Sequence, residues 1–244
     1  ARAAAVGPAV GREMDFEHLE SIVNATRDAG VRGINLDLIY GLPKQDTATM
    51  AKTLDDMISL KPDRIALYGY AHVPWMRPQQ RRLERSGLPD ADERIALFGV
   101  ALDKLGAAGY DPIGLDHFAL PGDALLEAQK TGNIDRSFQG YTVGRAPDLI
   151  GLGASSIGLL RTAGHGLYVQ NEVRTKPYQN GQGLATVKGY SLTADDVIRG
   201  QIIRDVLCRL ETSADDLWER FPQAWQDLAS YEEDGLVVRS PGRL

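Results

Sequence analysis

Polar residues lie where three apolar runs of the chain end, and they are residues that bind ligands in many proteins. Asp37 lies in the first run, NLDLIYG, His72 lies near the end of the second, and Asp116 and His117 lie near the end of the third. Carboxylates accept hydrogen bonds from hydroxyl and ammonium groups, and histidine exchanges protons near neutral pH. If the runs are parallel strands, their carboxyl ends share one edge of a sheet. This pattern predicts a ligand site at that edge.

Each of these residues also has an ordinary structural interpretation. An acid within a buried strand is costly unless it is paired, so a salt-bridged structural role for Asp37 is as well supported as a ligand-facing one. His72 and His117 are each compatible with a hydrogen-bonded core or surface histidine. No His-x-His or His-x-x-x-His pair indicates a metal site. The prediction of a site therefore depends on finding three such strand ends in succession.

Two further segments are weaker candidates. Residues 151–158, GLGASSIG, are similar to a glycine-rich ligand loop, but they lack the G-x-G-x-x-G order that follows a βαβ strand. A tight turn with small-residue packing explains them equally well. Arg12 can hold a carboxylate through two hydrogen bonds, although the sequence around it favours an ordinary solvated arginine.

The segments that must position these residues alternate between helical and extended patterns. Apolar residues recur at helical spacing in three segments, which are 15–30, 47–60 and 91–108. Each is followed by an apolar run with the character of a strand, and these runs are 34–41, 64–73 and 107–118. Such alternation implies a parallel sheet with helices on its outer face. Three strands are too few for a closed barrel, so residues 1–118 are predicted to be the second half of a barrel or doubly wound sheet.

The alternation stops after residue 118. Residues 122–130 indicate a short helix, and much of the region from 131 to 191 is rich in glycine and polar residues without a clear period. Thr193 begins a capping pattern for a helix that should run to about residue 210. The final run, DGLVVRSPGRL, indicates a strand and turn like the wing of a small winged-helix unit. Residues 119–244 are therefore predicted to form a second, mostly helical domain.

Composition excludes several classes of protein. The 244 residues are 43% hydrophobic and 25% charged, as in folded proteins, and their net charge of −6 argues against a nucleic-acid or acidic-membrane partner. No apolar run has the length of a membrane span, and no secretory signal is evident. The single cysteine, Cys208, lies in an apolar helical run and is predicted to be a buried structural thiol, which favours a cytoplasmic location. One cysteine cannot form an internal disulfide or hold a zinc ion or an iron–sulfur cluster.

Several short motifs occur together in one order along the chain. They are NLDLIYGLPKQ, YAHVP, GLDHFALPGDALLEAQ, SFQGYT, PDLIGLGASSIG and YVQN. Each is modest alone, but the ordered set resembles the oxygen-independent coproporphyrinogen III oxidases (coproporphyrinogen dehydrogenases), a radical S-adenosylmethionine family of haem biosynthesis. The resemblance covers nearly the whole chain. The nearest alternative is the radical-SAM haem chaperones, which bind a tetrapyrrole without turnover and in which DHFALP and FQGYT are not expected. A generic barrel enzyme acting on a phosphorylated metabolite stays open on the residues alone.

The resemblance implies a fold, cofactors and a reaction. The fold is a (β/α)6 partial TIM-type barrel, of which this chain is the second half, followed by the helical domain with its winged-helix-like end. A [4Fe–4S] cluster, held by three cysteines in a C-x3-C-x2-C run and reduced by an electron donor, cleaves S-adenosylmethionine to a 5′-deoxyadenosyl radical. That radical takes hydrogen from two propionates of coproporphyrinogen III, which lose carbon dioxide and become the vinyl groups of protoporphyrinogen IX. The family also implies a monomer.

The resemblance also implies site residues. Positions that contact S-adenosylmethionine in the family are matched here by Arg12, Asp37, Ala71 and Ile157. Arg12 would pair with the methionine carboxylate, and Asp37 would accept hydrogen bonds from a ribose hydroxyl or the amino group. Ala71 and Ile157 would supply close backbone or apolar contacts. Asp116 and His117 lie in a family motif without a settled role, and our hypothesis is that they order the rim of the active site.

One departure from the family pattern bears on activity. The cluster-binding run of three cysteines is absent from these 244 residues. The sequence is therefore interpreted as the C-terminal portion of the enzyme. We expect this portion alone neither to bind the cluster nor to catalyse the reaction.

Overall fold

The chain divides into two compact units. The computed structural model describes residues 6–11, 13, 15–137, 140–162, 165–181, 183–213 and 219–240. The first unit spans residues 1–130 and the second residues 131–244. The domain boundary predicted after residue 118 falls inside the first of these units.

The first unit alternates helices and strands as the apolar spacing predicted. Its elements are α1 (Val6–Val10), α2 (Phe16–Asp28), β1 (Asn35–Tyr40), α3 (Thr47–Ser59), β2 (Arg64–Gly69), α4 (Arg81–Glu84), α5 (Ala91–Ala107), β3 (Asp111–Ile113), β4 (His117–Ala119) and α6 (Ala124–Lys130). The three predicted helices are confirmed as α2, α3 and α5, with ends that differ by at most two residues. Asp15, Asp46 and Asp90 cap them, since each carboxylate accepts a hydrogen bond from a backbone N–H of the first turn.

The sheet of the first unit has the strand order β1-β2-β4-β3. β1 and β2 pair in parallel, as predicted. The prediction of a third parallel strand at 107–118 is wrong. This segment contains a hairpin, in which β4 runs antiparallel to both β3 and β2. The turn begins at Gly114, whose φ of 58° is a left-handed conformation that glycine adopts without strain. The single parallel strand predicted there is therefore folded back on itself.

The core of the first unit lies between the sheet and three helices. Leu54 of α3, Leu105 of α5 and Ile65 of β2 are fully buried in one apolar cluster. Leu36 and Leu38 of β1 pack against apolar side chains on the same side of the sheet. Helices α2, α3 and α5 therefore cover one face of the sheet, and we call the opposite face the far face.

The far face of β1 is exposed at Asn35, Asp37 and Ile39, while the residues between them are half-buried. The prediction that Asp37 lies in a buried strand is therefore wrong. The reason is positional, because β1 is an edge strand and the helices cover only one of its faces. A period-2 pattern does not reveal whether a second layer covers the other face.

The second unit contains more strand than the sequence predicted. Its elements are β5 (Ile134–Ser137), β6 (Gly140–Val143), β7 (Ile157–Thr162), β8 (His165–Asn171), α7 (Thr175–Asn180), β9 (Thr186–Leu192), α8 (Ala194–Arg209), α9 (Pro222–Asp227) and α10 (Ala229–Glu233). The prediction of a mostly helical domain is wrong for its first half, where β5 and β6 form a hairpin and β7, β8 and β9 an antiparallel sheet. Glycine and polar residues interrupt the alternation there, and pairing with adjacent strands stabilises these segments.

Helix α8 was predicted correctly, and Thr193 forms the expected capping box with Asp196. At the far end of the unit, described residues 236–239 form no strand, and residues 241–244 of the predicted wing lie outside the described residues. Within the part of the chain that the structure describes, no helix is both long and apolar enough to cross a membrane.

Candidate functional site

The far face of the first unit brings two predicted site residues into one row. Asp37 of β1 lies opposite Ala66 of β2, and Ala66 lies opposite His117 of β4. Paired residues on adjacent strands project to the same side, so these three share the far face. The ring of Tyr68 also lies there and meets the His117 ring edge-on at 6.1 Å between centroids. The far face therefore combines a carboxylate, an imidazole and a phenol.

Asp37 is exposed on this face. Its Oδ1 accepts a hydrogen bond of 2.6 Å from Nδ2 of Asn35, two residues earlier on the same strand. Among the described residues its carboxylate forms no ion pair, so the structural salt bridge considered from the sequence is not observed there. An exposed carboxylate beside an amide donor can still accept hydrogen bonds from a ligand.

Asp116 and His117 form a close pair. Nδ1 of His117 lies 2.6 Å from Oδ1 of Asp116, and His117 is only 6% exposed. The prediction that they end a parallel strand is wrong, because His117 begins the antiparallel strand β4. An antiparallel strand begins where its neighbour ends, and the Leu67 N–H accordingly donates to the Asp116 carbonyl. The pair thus lies toward the carboxyl half of β2 for a reason other than the one predicted.

The segment that follows β2 carries Ala71, which is exposed. β2 ends at residue 69, earlier than the predicted 73. The Gln80 side chain holds this segment from both sides: its Nε2 donates to the Ala71 carbonyl at 3.1 Å, and its Oε1 accepts from the Val73 N–H at 2.7 Å. Nη1 of Arg94 donates to the Tyr70 carbonyl at 3.1 Å. Sequence reasoning missed Gln80 and Arg94, because neither lies in a motif and both act through backbone groups distant in sequence.

His72 has the ordinary structural role that the sequence left open. Its Nε2 lies 3.0 Å from Oε1 of Glu84 on α4, and its Nδ1 lies 3.4 Å from the Tyr70 hydroxyl. These contacts hold the same segment against α4. His72 is therefore a positioning residue for the backbone around Ala71.

In the second unit, the glycine-rich loop 151–156 is fastened by Asn171 at the end of β8. Nδ2 of Asn171 lies within 3.2 Å of the carbonyl oxygens of Gly151 and Gly153 and 3.0 Å from Oγ of Ser156. A Cβ at Gly151 would lie 2.9 Å from backbone atoms of Ile157, so only glycine fits without movement. The tight-turn interpretation of GLGASSIG therefore describes its geometry, and the turn places Ile157 at the start of β7. It also explains why the motifs GLGASSIG and YVQN occur together.

Asn171→Asp should loosen this loop, because it replaces the donor that faces three oxygens with an acceptor. We expect a loss of about 1–3 kcal/mol in the local stability of the loop, the cost of leaving such groups unsatisfied. Hydrogen exchange of the amides in residues 151–156 measures this directly. Asn180→Asp is the matched control, since Asn180 is exposed at the end of α7. Equal exchange in the two variants would contradict the assignment.

The predicted site residues are distributed over both units. Asp37, Ala71, Asp116 and His117 belong to the first unit, and Ile157 belongs to the second. Arg12 lies outside the described residues.

The residues of this chain suit one implied cofactor and not the other. Cys208 is the only cysteine, it is 8% exposed, and burial raises the pKa of its thiol, which opposes the thiolate form that binds iron. Among the described residues no group of three His, Cys, Asp or Glu side chains is arranged to hold a metal ion. These 244 residues therefore do not fit an iron–sulfur cluster. An exposed carboxylate such as Asp37 does fit hydroxyl or ammonium groups of S-adenosylmethionine.

Comparisons with known proteins agree on one class. No family model matches the chain. The structure matches that of coproporphyrinogen III oxidase (HemN) from Escherichia coli, described as a radical SAM enzyme, with a TM-score of 0.87 and 34% identity over 98% of this chain and 56% of that chain. The chain therefore shares the mixed α/β fold of part of a radical SAM enzyme.

Sequence relatives are more specific. The chain is 42% identical over 211 residues to an oxygen-independent coproporphyrinogen III oxidase of Paracoccus denitrificans, covering 85% of this chain and 46% of that protein. It is 39% identical over 259 residues to the enzyme of that name from Pseudomonas aeruginosa, covering 98% of this chain and 55% of that protein. The chain is a relative of the oxygen-independent coproporphyrinogen III oxidases and matches their C-terminal portion. The resemblance seen in the motifs is confirmed, and the chain spans about half the length of these relatives.

Proposed function

We propose that the protein containing this chain is an oxygen-independent coproporphyrinogen III oxidase. The reaction is the oxidative decarboxylation of two propionates of coproporphyrinogen III to vinyl groups, giving protoporphyrinogen IX and two molecules of carbon dioxide. Two molecules of S-adenosylmethionine would act as the oxidant, each ending as methionine and 5′-deoxyadenosine, which carries the hydrogen removed from the propionate. The observation that carries the proposal is the match to a radical SAM coproporphyrinogen III oxidase along 98% of the chain at a TM-score of 0.87. The ordered motifs support it independently, because they reside in different elements of both units.

Within this proposal the far face of the first unit binds S-adenosylmethionine, which when bound supplies the 5′-deoxyadenosyl group that takes hydrogen from a propionate. Asp37 accepts hydrogen bonds from a ribose hydroxyl or the ammonium group, and Arg12 pairs with the methionine carboxylate. The backbone at Ala71, held by Gln80, provides a close contact. For Ile157, in the second unit, the family resemblance alone supports an apolar contact with the cofactor. The Asp116–His117 pair orders the rim of the active site. No step is assigned to an iron–sulfur cluster, whose ligands must come from outside these 244 residues.

The finer architecture belongs to the same proposal. The parallel pair of β1 and β2, with helices on one face, supports the second half of a (β/α)6 partial barrel. The proposal of a small winged-helix-like end rests on the sequence and on the short helices α9 and α10, since residues 236–239 form no strand. We further propose that the enzyme is a cytoplasmic monomer served by an electron donor.

The reaction itself is the test. The full-length protein that contains this chain is incubated without oxygen with coproporphyrinogen III, S-adenosylmethionine and a chemical reductant, and the products are oxidised and separated as porphyrins. Formation of protoporphyrin that depends on S-adenosylmethionine is the expected result. The alternative, a radical-SAM haem chaperone, predicts stoichiometric haem binding in a titration and no protoporphyrin. That pair of results would overturn the proposal.

A further inference from the structure

The second unit contains a cationic cavity that the proposed site does not use. It has a volume of about 360 Å³ and is bordered by four arginines, Arg136, Arg145, Arg161 and Arg204. Asp196 is the only carboxylate among the described lining residues, so the lining has a formal charge of +3 with His165 neutral. The chain as a whole has a net charge of −6. Cations concentrated in one cavity of an acidic chain indicate an anionic ligand.

Backbone carbonyl groups hold the Arg161 side chain in the cavity. Nη1 of Arg161 donates to the carbonyl of Ala146 at 2.6 Å and to that of Pro147 at 3.1 Å. The guanidinium of Arg136 lies 4.4 Å from the centre of the Tyr141 ring. Carbonyl groups orient a guanidinium without neutralising its charge, so the Arg161 side chain contributes positive charge to the cavity.

Arg204, on α8, is a largely buried arginine of the cavity and forms an ion pair. Its side chain is 16% exposed, and its Nε lies 3.4 Å from Oδ1 of Asp135. Burial, followed by the nearby Arg145 guanidinium, lowers the pKa of Arg204. Arg145 itself is exposed. Two guanidinium groups close enough to oppose each other's charge are relieved when an anion binds between them.

An apolar cavity lies on the same face of the β7-β8-β9 sheet. It has a volume of about 460 Å³ and is bordered by Ile157, Tyr168 and Tyr190 among others. Tyr168 borders both cavities and pairs with Tyr190 across the strands. Arg161, four residues after Ile157 on β7, projects to the same face because side chains alternate along a strand. One face of a single sheet therefore carries a largely apolar cavity, with Gln170 and Lys188 also in its lining, beside the arginine cavity.

We propose that this sheet face binds a ligand with an apolar macrocyclic body and several carboxylates, the carboxylates lying in the arginine cavity and the body against Tyr168 and Tyr190. The inference rests on the proposed function, which identifies such a ligand as a propionate-bearing tetrapyrrole. Arginine is suited to this task, because its planar fork donates two hydrogen bonds to one carboxylate. The arginine cavity would thus select substrates by their carboxylates.

Titration with coproporphyrin III, the stable oxidised tetracarboxylate, tests the assignment through quenching of porphyrin fluorescence. The double variant Arg145→Gln/Arg161→Gln should bind it about 10- to 100-fold more weakly, as expected when hydrogen bonds to a charged group are lost. Arg209→Gln is the matched control, because Arg209 is exposed on α8 and does not border the cavity. Arg145→Gln alone, at an exposed position, is the second variant if the double variant is poorly folded by circular dichroism.

Two additional ligands distinguish the source of the carboxylate. The tetramethyl ester of coproporphyrin III should bind the original protein and the arginine variants equally, because it presents no charge to them. Citrate should displace coproporphyrin III only at far higher concentration, because it lacks an apolar body. Displacement by citrate at concentrations similar to that of the porphyrin, or unchanged coproporphyrin affinity in the variants, would overturn the assignment.

This experiment separates the inference from the proposed function. If the unmodified protein forms protoporphyrin but the variants bind coproporphyrin III normally, the cavity assignment fails and the proposed reaction stands. If the unmodified protein forms no protoporphyrin but the variants lose binding, the cavity assignment stands as that of a tetrapyrrole binder.

Discussion

Leu54→Ala should lower the stability of the first unit by about 2–5 kcal/mol, the cost of truncating a fully buried leucine. Leu54 has no exposed surface and lies in the cluster that joins α3 and α5 to β2. The loss combines the apolar area removed from burial with a cavity that a packed core closes only in part. Hydrogen exchange of the β2 amides reports this local stability even if the two units unfold in separate steps.

Leu102→Ala is the matched control for this prediction. Leu102 lies on α5 and is 42% exposed, so truncating it removes few buried contacts and should cost about 1 kcal/mol or less. A Leu54→Ala variant no less stable than this control would show that α3 is not packed into the core as described.

Asp37→Ala should weaken binding of S-adenosylmethionine by about 10- to 100-fold, which corresponds to loss of hydrogen bonds to a charged acceptor. The fold should be unaffected, since Asp37 is exposed on an edge strand and its hydrogen bond is to Asn35 on that strand. Isothermal titration of the protein with S-adenosylmethionine, without oxygen, measures the change. The affinity of Asp37→Asn for S-adenosylmethionine should lie between those of the unmodified protein and Asp37→Ala, because an amide keeps one acceptor oxygen but loses the charge.

Asp103→Asn serves as the control for Asp37. It removes one negative charge from an exposed position of α5 and so matches the change in net charge. An Asp37→Ala variant with the affinity of this control would remove Asp37 from the proposed cofactor site. The far face would then need a different ligand.

How much of this protein was predictable differs between its units. In the first unit, α2, α3 and α5 follow from apolar spacing and aspartate caps within single segments, and the parallel pair of β1 and β2 follows from their alternation with helices. The hairpin at Gly114 was missed, because an apolar run does not reveal that it turns back on itself. In the second unit, the β7-β8-β9 sheet was missed because glycine and polar residues interrupt the alternation of its strands, even though β7 and β8 pair as a local hairpin.

The candidate site shows the same division. The local sequence was enough to single out Asp37, Asp116 and His117, because each is a polar residue within or near the end of an apolar run. Their common row was not predictable, because it arises from register across three strands, one of them antiparallel. The role of Gln80 in holding the backbone at Ala71 was likewise invisible, since a side chain that binds backbone groups leaves no motif.

The ordered motifs alone were sufficient to identify the relatives of this chain, because the order of motifs is visible in the sequence without any knowledge of tertiary contacts. The arginine cavity is the opposite case. Arg136, Arg145, Arg161 and Arg204 are scattered through 69 residues and meet only when β5, β7 and α8 pack together. Electrostatic interaction depends on distance in space, and folding sets that distance.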